Sequence, residues 1–151
     1  MVKLKLRDFL LESNKIEGID WVTPQEVAHA EFILDLDRLR IEDIEVYVKI
    51  TATAGLRDKP GMNVMIENHV PVGGGPDVVS SLNALLETVN SLDRTPFHMH
   101  LEYETLHPFM DGNGRSGRLV WLWQHVKEGS YRNLGFLHQF YYETLTYTRG
   151  G

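Results

Sequence analysis

The sequence predicts an all-α fold, a compact helical bundle that carries one small β-hairpin flap. Apolar residues recur at three- and four-residue steps over most of the chain, which is the period of an amphipathic helix. Proline and capping residues stand where several of these periodic segments begin. No repeat, low-complexity block or interdomain linker interrupts the 151 residues. We therefore expect a single domain over 1–151.

Three helices are predicted in the N-terminal half. Residues 3–16 mix apolar and charged side chains, and Gly18 follows as a helix stop. The second helix has a clear start, because Thr23 precedes a proline and a glutamate stands three residues later, as in a capping box. Its expected apolar face consists of Val27, Ala30, Phe32, Ile33, Leu34 and Leu36. Residues 41–51 form a third helical segment, although their β-branched side chains leave a strand open as an alternative.

Four more segments of the C-terminal half have helical periodicity. The clearest, 77–92, carries a single apolar stripe. It is followed by 96–106, 115–127 and a tail helix over 131–147. We expect the aromatic residues of the last two segments to be core or interface residues rather than nucleotide stackers: Trp121, Trp123, Tyr141 and Tyr142.

One stretch, 63–76, interrupts the helical pattern. Apolar residues partly alternate there, and three glycines and a proline follow, which is typical of a short hairpin or an extended flap. The exposed edge of such a flap could hold a target peptide by main-chain hydrogen bonds. A plain connecting hairpin is the alternative.

The composition limits the function classes. The formal net charge of -6 and a pI near 5.6 disfavour direct binding to nucleic acid or to anionic membranes, so any phosphate site must be local. The absence of cysteine excludes disulfides and thiolate metal sites. No signal peptide or membrane-spanning apolar run is visible, so the expected location is cytoplasmic, with delivery into another cell as an alternative. The oligomeric state stays open.

The segment 107–118 carries the strongest functional signal. It reads H-P-F-M-D-G-N-G-R-S-G-R and lies between two predicted helices. Gly112 and Gly114 allow backbone angles that other residues avoid, so successive N–H groups can converge on an anion at the start of a helix. Arg115 and Arg118 stand three residues apart on one helix face, and their guanidinium groups suit phosphate oxygens.

Three further residues of this segment complete a reaction site. His107 can take up a proton near neutral pH, Asp111 can hold Mg²⁺, and Asn113 can donate its amide to a phosphate oxygen. Each feature alone is common in structural loops. Their coincidence within twelve residues favours a site for phosphoryl-type displacement.

The segment 107–118 resembles the Fic motif, H-P-F-x-(D/E)-G-N-G-R-x-x-R, at every specified position. The resemblance implies a Fic-like fold and an adenylyltransferase that moves AMP from ATP, with Mg²⁺, onto a Ser, Thr or Tyr hydroxyl of a target protein, releasing pyrophosphate. Under it, His107 deprotonates the hydroxyl, Asp111 binds Mg²⁺, and Phe109 anchors the loop in the core. The anion hole and the clamp on the β- and γ-phosphates are then formed by Gly112, Asn113, Gly114, Arg115 and Arg118. The related Doc kinases have lysine at the position of Gly114, so this sequence does not match that branch.

A second motif stands near the N-terminus. Residues 13–18, S-N-K-I-E-G, resemble the inhibitory motif of the same family, (S/T)-x-x-x-E-(G/N), at Ser13, Glu17 and Gly18. The resemblance implies an inhibitory helix over about 3–18 whose Glu17 pairs with Arg118 and blocks the γ-phosphate. Ser13 and Glu17 are four apart and so share a helix face. The alternative is that Glu17 is an ordinary exposed charge.

Three functions remain open from the sequence. The first is an adenylyltransferase held back by Glu17. The second is an enzyme of the same kind that removes AMP from a protein or transfers another nucleotide. The third is a nucleotide-binding regulator without catalysis, against which the intact His107 argues.

Overall fold

The computed structural model describes residues 2–66 and 68–139, with side chains from Lys5 onward in the first helix. The helices of this part are α1 (Val2–Ile16), α2 (Pro24–Asp35), α3 (Ile41–Ala52), α4 (Pro76–Ser91), α5 (Pro96–Leu106) and α6 (Asn113–Lys127). Residues 134–139 are helical as well. The predicted all-α bundle is confirmed. None of the helices in this part of the chain combines the length and the apolar character that crossing a membrane requires.

Helix α6 forms the centre of the bundle and packs against α1, α2, α3 and α5. Every residue from Arg115 to Gln124 is buried, so this stretch of the helix has no solvent face. Trp121 and Trp123 are each 1% exposed, which confirms their assignment to the core. The ring of Phe9 stacks on Trp121 and thereby holds α1 against α6.

The predicted helix starts are confirmed by their caps. Thr23 accepts a hydrogen bond from the Glu26 N–H at the start of α2, and Thr95 caps α5 in the same way. The segment 41–52 is a helix despite its β-branched residues, because burial of its apolar face against the bundle outweighs local propensity. The expectation for Phe32 is wrong: the side chain is 50% exposed, and α2 buries only Ala30, Ile33 and Leu34 of the predicted face.

The segment 63–76 is an extended flap with little regular pairing. Among its described residues a single antiparallel bridge joins Ile66 and His69, whose N–H groups each donate to the other's carbonyl. A second antiparallel bridge joins Leu56 to Phe109 and lays the chain that enters the flap along the loop between α5 and α6. The flap and the 107–118 segment are therefore held side by side.

Three predicted boundaries shift. Helix α6 begins at Asn113 rather than Arg115, so two more residues of the motif belong to its first turn. Helix α1 ends at Ile16, which places Glu17 and Gly18 in the turn that follows it. Of the predicted tail helix, residues 134–139 are helical, and residues 140–147, including Tyr141 and Tyr142, lie outside the described residues.

Candidate active site

The loop between α5 and α6 is framed by two residues in the left-handed backbone region. His107 ends α5 with a φ of 50°, and its N–H donates to the Tyr103 carbonyl. Gly112 begins α6 with a φ of 81°, an angle that costs glycine nothing. The left-handed conformation is energetically unfavourable for a non-glycine residue such as His107, so the surrounding structure must impose it.

The hydrogen bonds of Arg57 form a clamp that holds His107 in this left-handed conformation. This arginine is 0% exposed, and its guanidinium donates to the carbonyls of Leu106 and His107 at 2.9 and 2.7 Å. It also donates to the Met62 and Val72 carbonyls of the flap region, and its own N–H donates to the Pro108 carbonyl. One buried cation thus ties both ends of the flap to the last turn of α5. Sequence reasoning missed Arg57 because the acceptors of its guanidinium are backbone atoms up to 50 residues away.

The imidazole of His107 is oriented by the backbone of its own helix. Its Nδ1 lies 3.2 Å from the carbonyl oxygen of Glu104, which can only accept, so Nδ1 carries the proton. Nε2 then holds a free lone pair, as a general base requires. Burial lowers the pKa of His107, and the charge of Arg57 adds to this effect, while the hydrogen bond to Glu104 opposes it. The ring is therefore neutral at pH 7.

Asn113 serves the loop differently from the prediction. Its side-chain amide donates to the Phe109 carbonyl, and its side-chain oxygen accepts from the Phe109 N–H, both at 2.8 Å. The residue is 3% exposed, so the amide fastens the loop instead of reaching a ligand. Phe109 itself is 0% exposed, as expected for the anchor of the loop. What Asn113 offers an anion is its backbone N–H in the first turn of α6.

The first turn of α6 presents N–H groups without intrahelical acceptors. Those of Asn113, Gly114 and Arg115 have no carbonyl one turn earlier to bond. The N–H of Gly112 donates at 2.7 Å to the Asp111 carboxylate, so Gly112 contributes its backbone angle rather than its donor. The helix dipole adds positive potential at the same point. An anion is therefore stabilised there by the backbone alone.

Arg118 is held by the predicted N-terminal motif. Its Nε donates to the Ser13 hydroxyl at 2.7 Å, and Nη2 donates to the Ser13 carbonyl at 3.0 Å and to Glu17 Oε1 at 2.9 Å. Arg118 is 8% exposed and Ser13 is 2% exposed, so these bonds lie in a shielded place. The structure thus brings together Ser13, Glu17 and Arg118 across more than 100 positions of sequence.

Gly114 is needed for a reason the sequence did not indicate. Its backbone is helical, so it uses none of the special angles of glycine. A Cβ at this position would lie 2.7 Å from Glu17 Oε1 and 2.9 Å from Arg118 Nη1. Gly114 therefore provides the space in which the carboxylate and the guanidinium meet.

The two motif arginines do not share one site. Arg115 is 5% exposed and donates through Nη1 to the Thr51 carbonyl at 2.7 Å, at the end of α3. Its Nη2 lies 3.9 Å from Asp111 Oδ1. Arg118 lines the cavity described below, whereas Arg115 is bonded to the end of α3, so joint phosphate binding by the two arginines stays a prediction.

The turn that carries Glu17 is supported by a buried asparagine. Asn14 is 1% exposed, and its amide donates to the Trp21 carbonyl and to Glu26 Oε2. Its main-chain carbonyl accepts hydrogen bonds from the N–H groups of Glu17 and Ile19. These bonds fix the end of α1 against the start of α2 and so aim Glu17 at α6.

These groups surround one cavity of about 220 Å³. It is lined by Glu17, Glu104, His107, Met110, Asp111, Gly112, Asn113, Gly114 and Arg118. Glu104 and Met110 were not among the predicted site residues. Ligand pockets usually measure about 300–1,000 Å³, so this cavity is small for a nucleotide while the Glu17 carboxylate occupies it. The cavity brings together an imidazole, backbone N–H donors and a guanidinium. Phosphoryl or nucleotidyl transfer requires such a combination of groups.

One comparison with known proteins identifies a family. A family model described as the Fic/DOC family matches residues 28–124, more than half of the chain. The matched region contains the flap and the whole 107–118 segment. It begins after Ser13, Glu17 and Gly18, so the part played by these three residues rests on their contacts. No curated protein matches the sequence.

Proposed function

The chain belongs to the Fic/DOC family and is a Fic-type enzyme, and from this premise we propose that it transfers AMP from ATP onto a hydroxyl side chain of a target protein. We further propose that Glu17 inhibits the transfer. One observation carries the proposal. A single cavity is lined by His107, by the free N–H groups that begin α6 and by the Arg118 guanidinium.

The proposed reaction needs one proton acceptor and a place for the phosphates. The target hydroxyl oxygen attacks the α-phosphorus, and His107 Nε2 takes its proton. The bond from the α-phosphorus to the bridging oxygen of the β-phosphate breaks, and pyrophosphate leaves. The N–H groups of Asn113 and Gly114 stabilise charge on the phosphate oxygens, and Arg118 binds the terminal phosphate.

Asp111 fits a role in Mg²⁺ binding. Its side chain is 71% exposed at the cavity, and one carboxylate oxygen accepts from the Gly112 N–H, which fixes its direction. Within the described residues no group of three or more acidic or histidine side chains is arranged to share a metal. Mg²⁺ needs only one or two carboxylates when phosphates and water complete its shell. When bound, the ion would neutralise phosphate charge.

The proposed inhibition follows from the hydrogen bond by which Glu17 already occupies Arg118. A triphosphate that placed its last phosphate at this guanidinium would compete with the Glu17 carboxylate for the same donor. Glu17 is 38% exposed, so the ion pair is partly screened by water and can be displaced. The inhibition is therefore reversible when the Glu17 side chain moves away from Arg118.

The flap is the proposed platform for the target protein. Val70 and Val72 are 67% and 48% exposed on it, and His69 bonds the Thr105 carbonyl of α5 through Nε2. The Arg57 clamp holds the flap beside His107. An extended target segment bound along the flap would reach the cavity with its hydroxyl group.

The proposal is tested by incubating the Glu17→Gly variant with Mg²⁺ and ATP, GTP, CTP or UTP in separate samples and measuring intact protein mass. We expect self-modification that adds one AMP with ATP and less or none with the other nucleotides. A mass gain of one phosphate would instead identify a kinase. Binding of ATP without any adduct, on the protein itself or on proteins of a cell extract, would indicate a non-catalytic regulator and contradict the proposal.

A further inference from the structure

Glu104 is a second carboxylate in the phosphate cavity, and neither the motif nor the reaction above uses it. It lies on the last turn of α5 and lines the cavity together with Glu17 and Arg118. Its Oε1 is buried and has no hydrogen-bond partner among the described residues. A buried carboxyl oxygen without a partner is costly, and the cost is smaller when the carboxyl group is neutral.

The position of this oxygen is fixed by α6. A Cβ on Gly117 would lie 2.8 Å from Glu104 Oε1, just as a Cβ on Gly114 would lie 2.7 Å from Glu17 Oε1. Gly114 and Gly117 are three apart and thus neighbours on one helix face. The two carboxylates therefore lie side by side along α6, next to the guanidinium of Arg118.

We propose that Glu104 determines how the terminal phosphate of the nucleotide binds: its neutral carboxyl donates a hydrogen bond to that phosphate, and its carboxylate repels it. The inference rests on the proposed function, because it assumes that a triphosphate enters this cavity. In the neutral form the O–H supplies a donor that a phosphate oxygen can accept. In the ionised form two like charges would share a small, shielded volume.

The charges around Glu104 support a proton-dependent role. Burial raises the pKa of Glu104 to about 7; the charge of Arg118 on α6 lowers it, and that of Glu17 after α1 raises it. His107 and Asp111 of the following loop line the same cavity. On α5 itself, burial lowers the pKa of His100 to about 4, so this side chain stays neutral throughout the relevant range.

The direction of the pH effect follows from these shifts. The neutral form of Glu104 persists below its raised pKa and is lost as the pH rises through it. Removal of Glu17 takes away a charge that raises this pKa and leaves burial as the raising cause, so the transition moves to lower pH in that variant. ATP affinity of the Glu17→Gly variant is therefore expected to fall as the pH rises through a range below 7. The expected loss is about tenfold, since uptake of one proton changes a binding constant by up to tenfold per pH unit.

The test measures Kd for ATP with Mg²⁺, and for AMP, between pH 5.5 and 8.5 in Glu17→Gly and in Glu17→Gly/Glu104→Gln. The glutamine keeps the shape and offers an N–H donor at every pH. We expect ATP to bind the double variant about tenfold more tightly than the single variant at pH 8, and equally well at pH 5.5. AMP, which lacks the terminal phosphates, should bind both equally. Glu102→Gln in the Glu17→Gly background is the matched control, because Glu102 is exposed on the same helix.

The outcomes separate the two proposals. The terminal phosphate of ATP also titrates near neutral pH, but this contribution is common to all variants and cancels in the comparison. Identical pH dependence of ATP binding in the single and double variants would overturn the role of Glu104 and leave the proposed function intact. If ATP bound none of the variants, the proposed function itself would fail, and the role of Glu104 with it. In turnover at pH 8, Glu104→Gln in the Glu17→Gly background should lower KM for ATP about tenfold.

Discussion

Replacement of Glu17 by glycine is expected to raise the rate of AMP transfer about 10- to 100-fold, from the about 1.5–3 kcal/mol that a hydrogen bond to a charged group contributes. The lower part of this range applies if water screens the pair, because Glu17 is 38% exposed. The variant frees one of the two N–H groups of Arg118 Nη2 for a phosphate oxygen, while the bonds of Nε and of the other Nη2 N–H to Ser13 remain. The measurement is incorporation of labelled AMP from ATP into the protein and into a cell extract.

Two controls make this result specific. Asp20→Gly removes an equivalent exposed carboxylate three residues later, outside the cavity, and should leave the rate at the wild-type level. Glu17→Gln keeps the length of the side chain but removes its charge, so its rate should lie between those of the wild type and Glu17→Gly. A Glu17→Gly variant no more active than the wild type, with ATP bound at comparable affinity, would remove inhibition from the account.

Replacement of His107 in the Glu17→Gly background is expected to reduce AMP transfer by about 10²- to 10⁴-fold, the usual contribution of a general base. Asparagine is the informative replacement, because it tolerates the left-handed backbone that this position adopts at a φ of 50°. The hydrogen bond from Arg57 Nε is accepted by the main-chain carbonyl of His107 and should therefore persist in the variant. The measurement combines the transfer rate with the affinity for ATP and the thermal unfolding temperature.

The matched control is His98→Asn, which changes an exposed histidine of α5 whose imidazole bonds to the neighbouring Glu102 and lies outside the cavity. It should leave the transfer rate unchanged. His107→Asn is expected to bind ATP as the parent does and to unfold at a similar temperature. Retention of full transfer activity by the His107 variant would show that another group takes the proton.

Local pattern was enough to predict most of the fold and the segment that lines the candidate site. The caps at Thr23 and Thr95 set helix starts through bonds within a few residues, and such signals are visible in sequence. The segment 107–118 was identified because its chemistry is concentrated in consecutive residues. The contact between Glu17 and Arg118 followed from a resemblance, and the structure contains it at 2.9 Å.

The remaining features depend on contacts between distant segments. Arg115 and Arg118 have the same spacing in any helix, but only the folded chain directs Arg115 to the Thr51 carbonyl and Arg118 to Ser13. The space above Gly114 is needed only because another segment places a carboxylate there. Arg57 is a lone arginine in sequence and becomes important through carbonyl groups of the flap and of α5. Periodicity and motif spacing contain no information on such pairings.

The proposed function requires that the cavity between His107 and Arg118 receives the triphosphate. The most direct measurement is a crystal structure of the Glu17→Gly variant with Mg²⁺ and an ATP analogue that cannot be cleaved between the α- and β-phosphates. We expect the phosphates to lie along the start of α6, the last of them bonded to Arg118, and the free Nε2 of His107 to face the α-phosphorus. A triphosphate bound elsewhere, or an imidazole turned away from the α-phosphorus, would contradict the account.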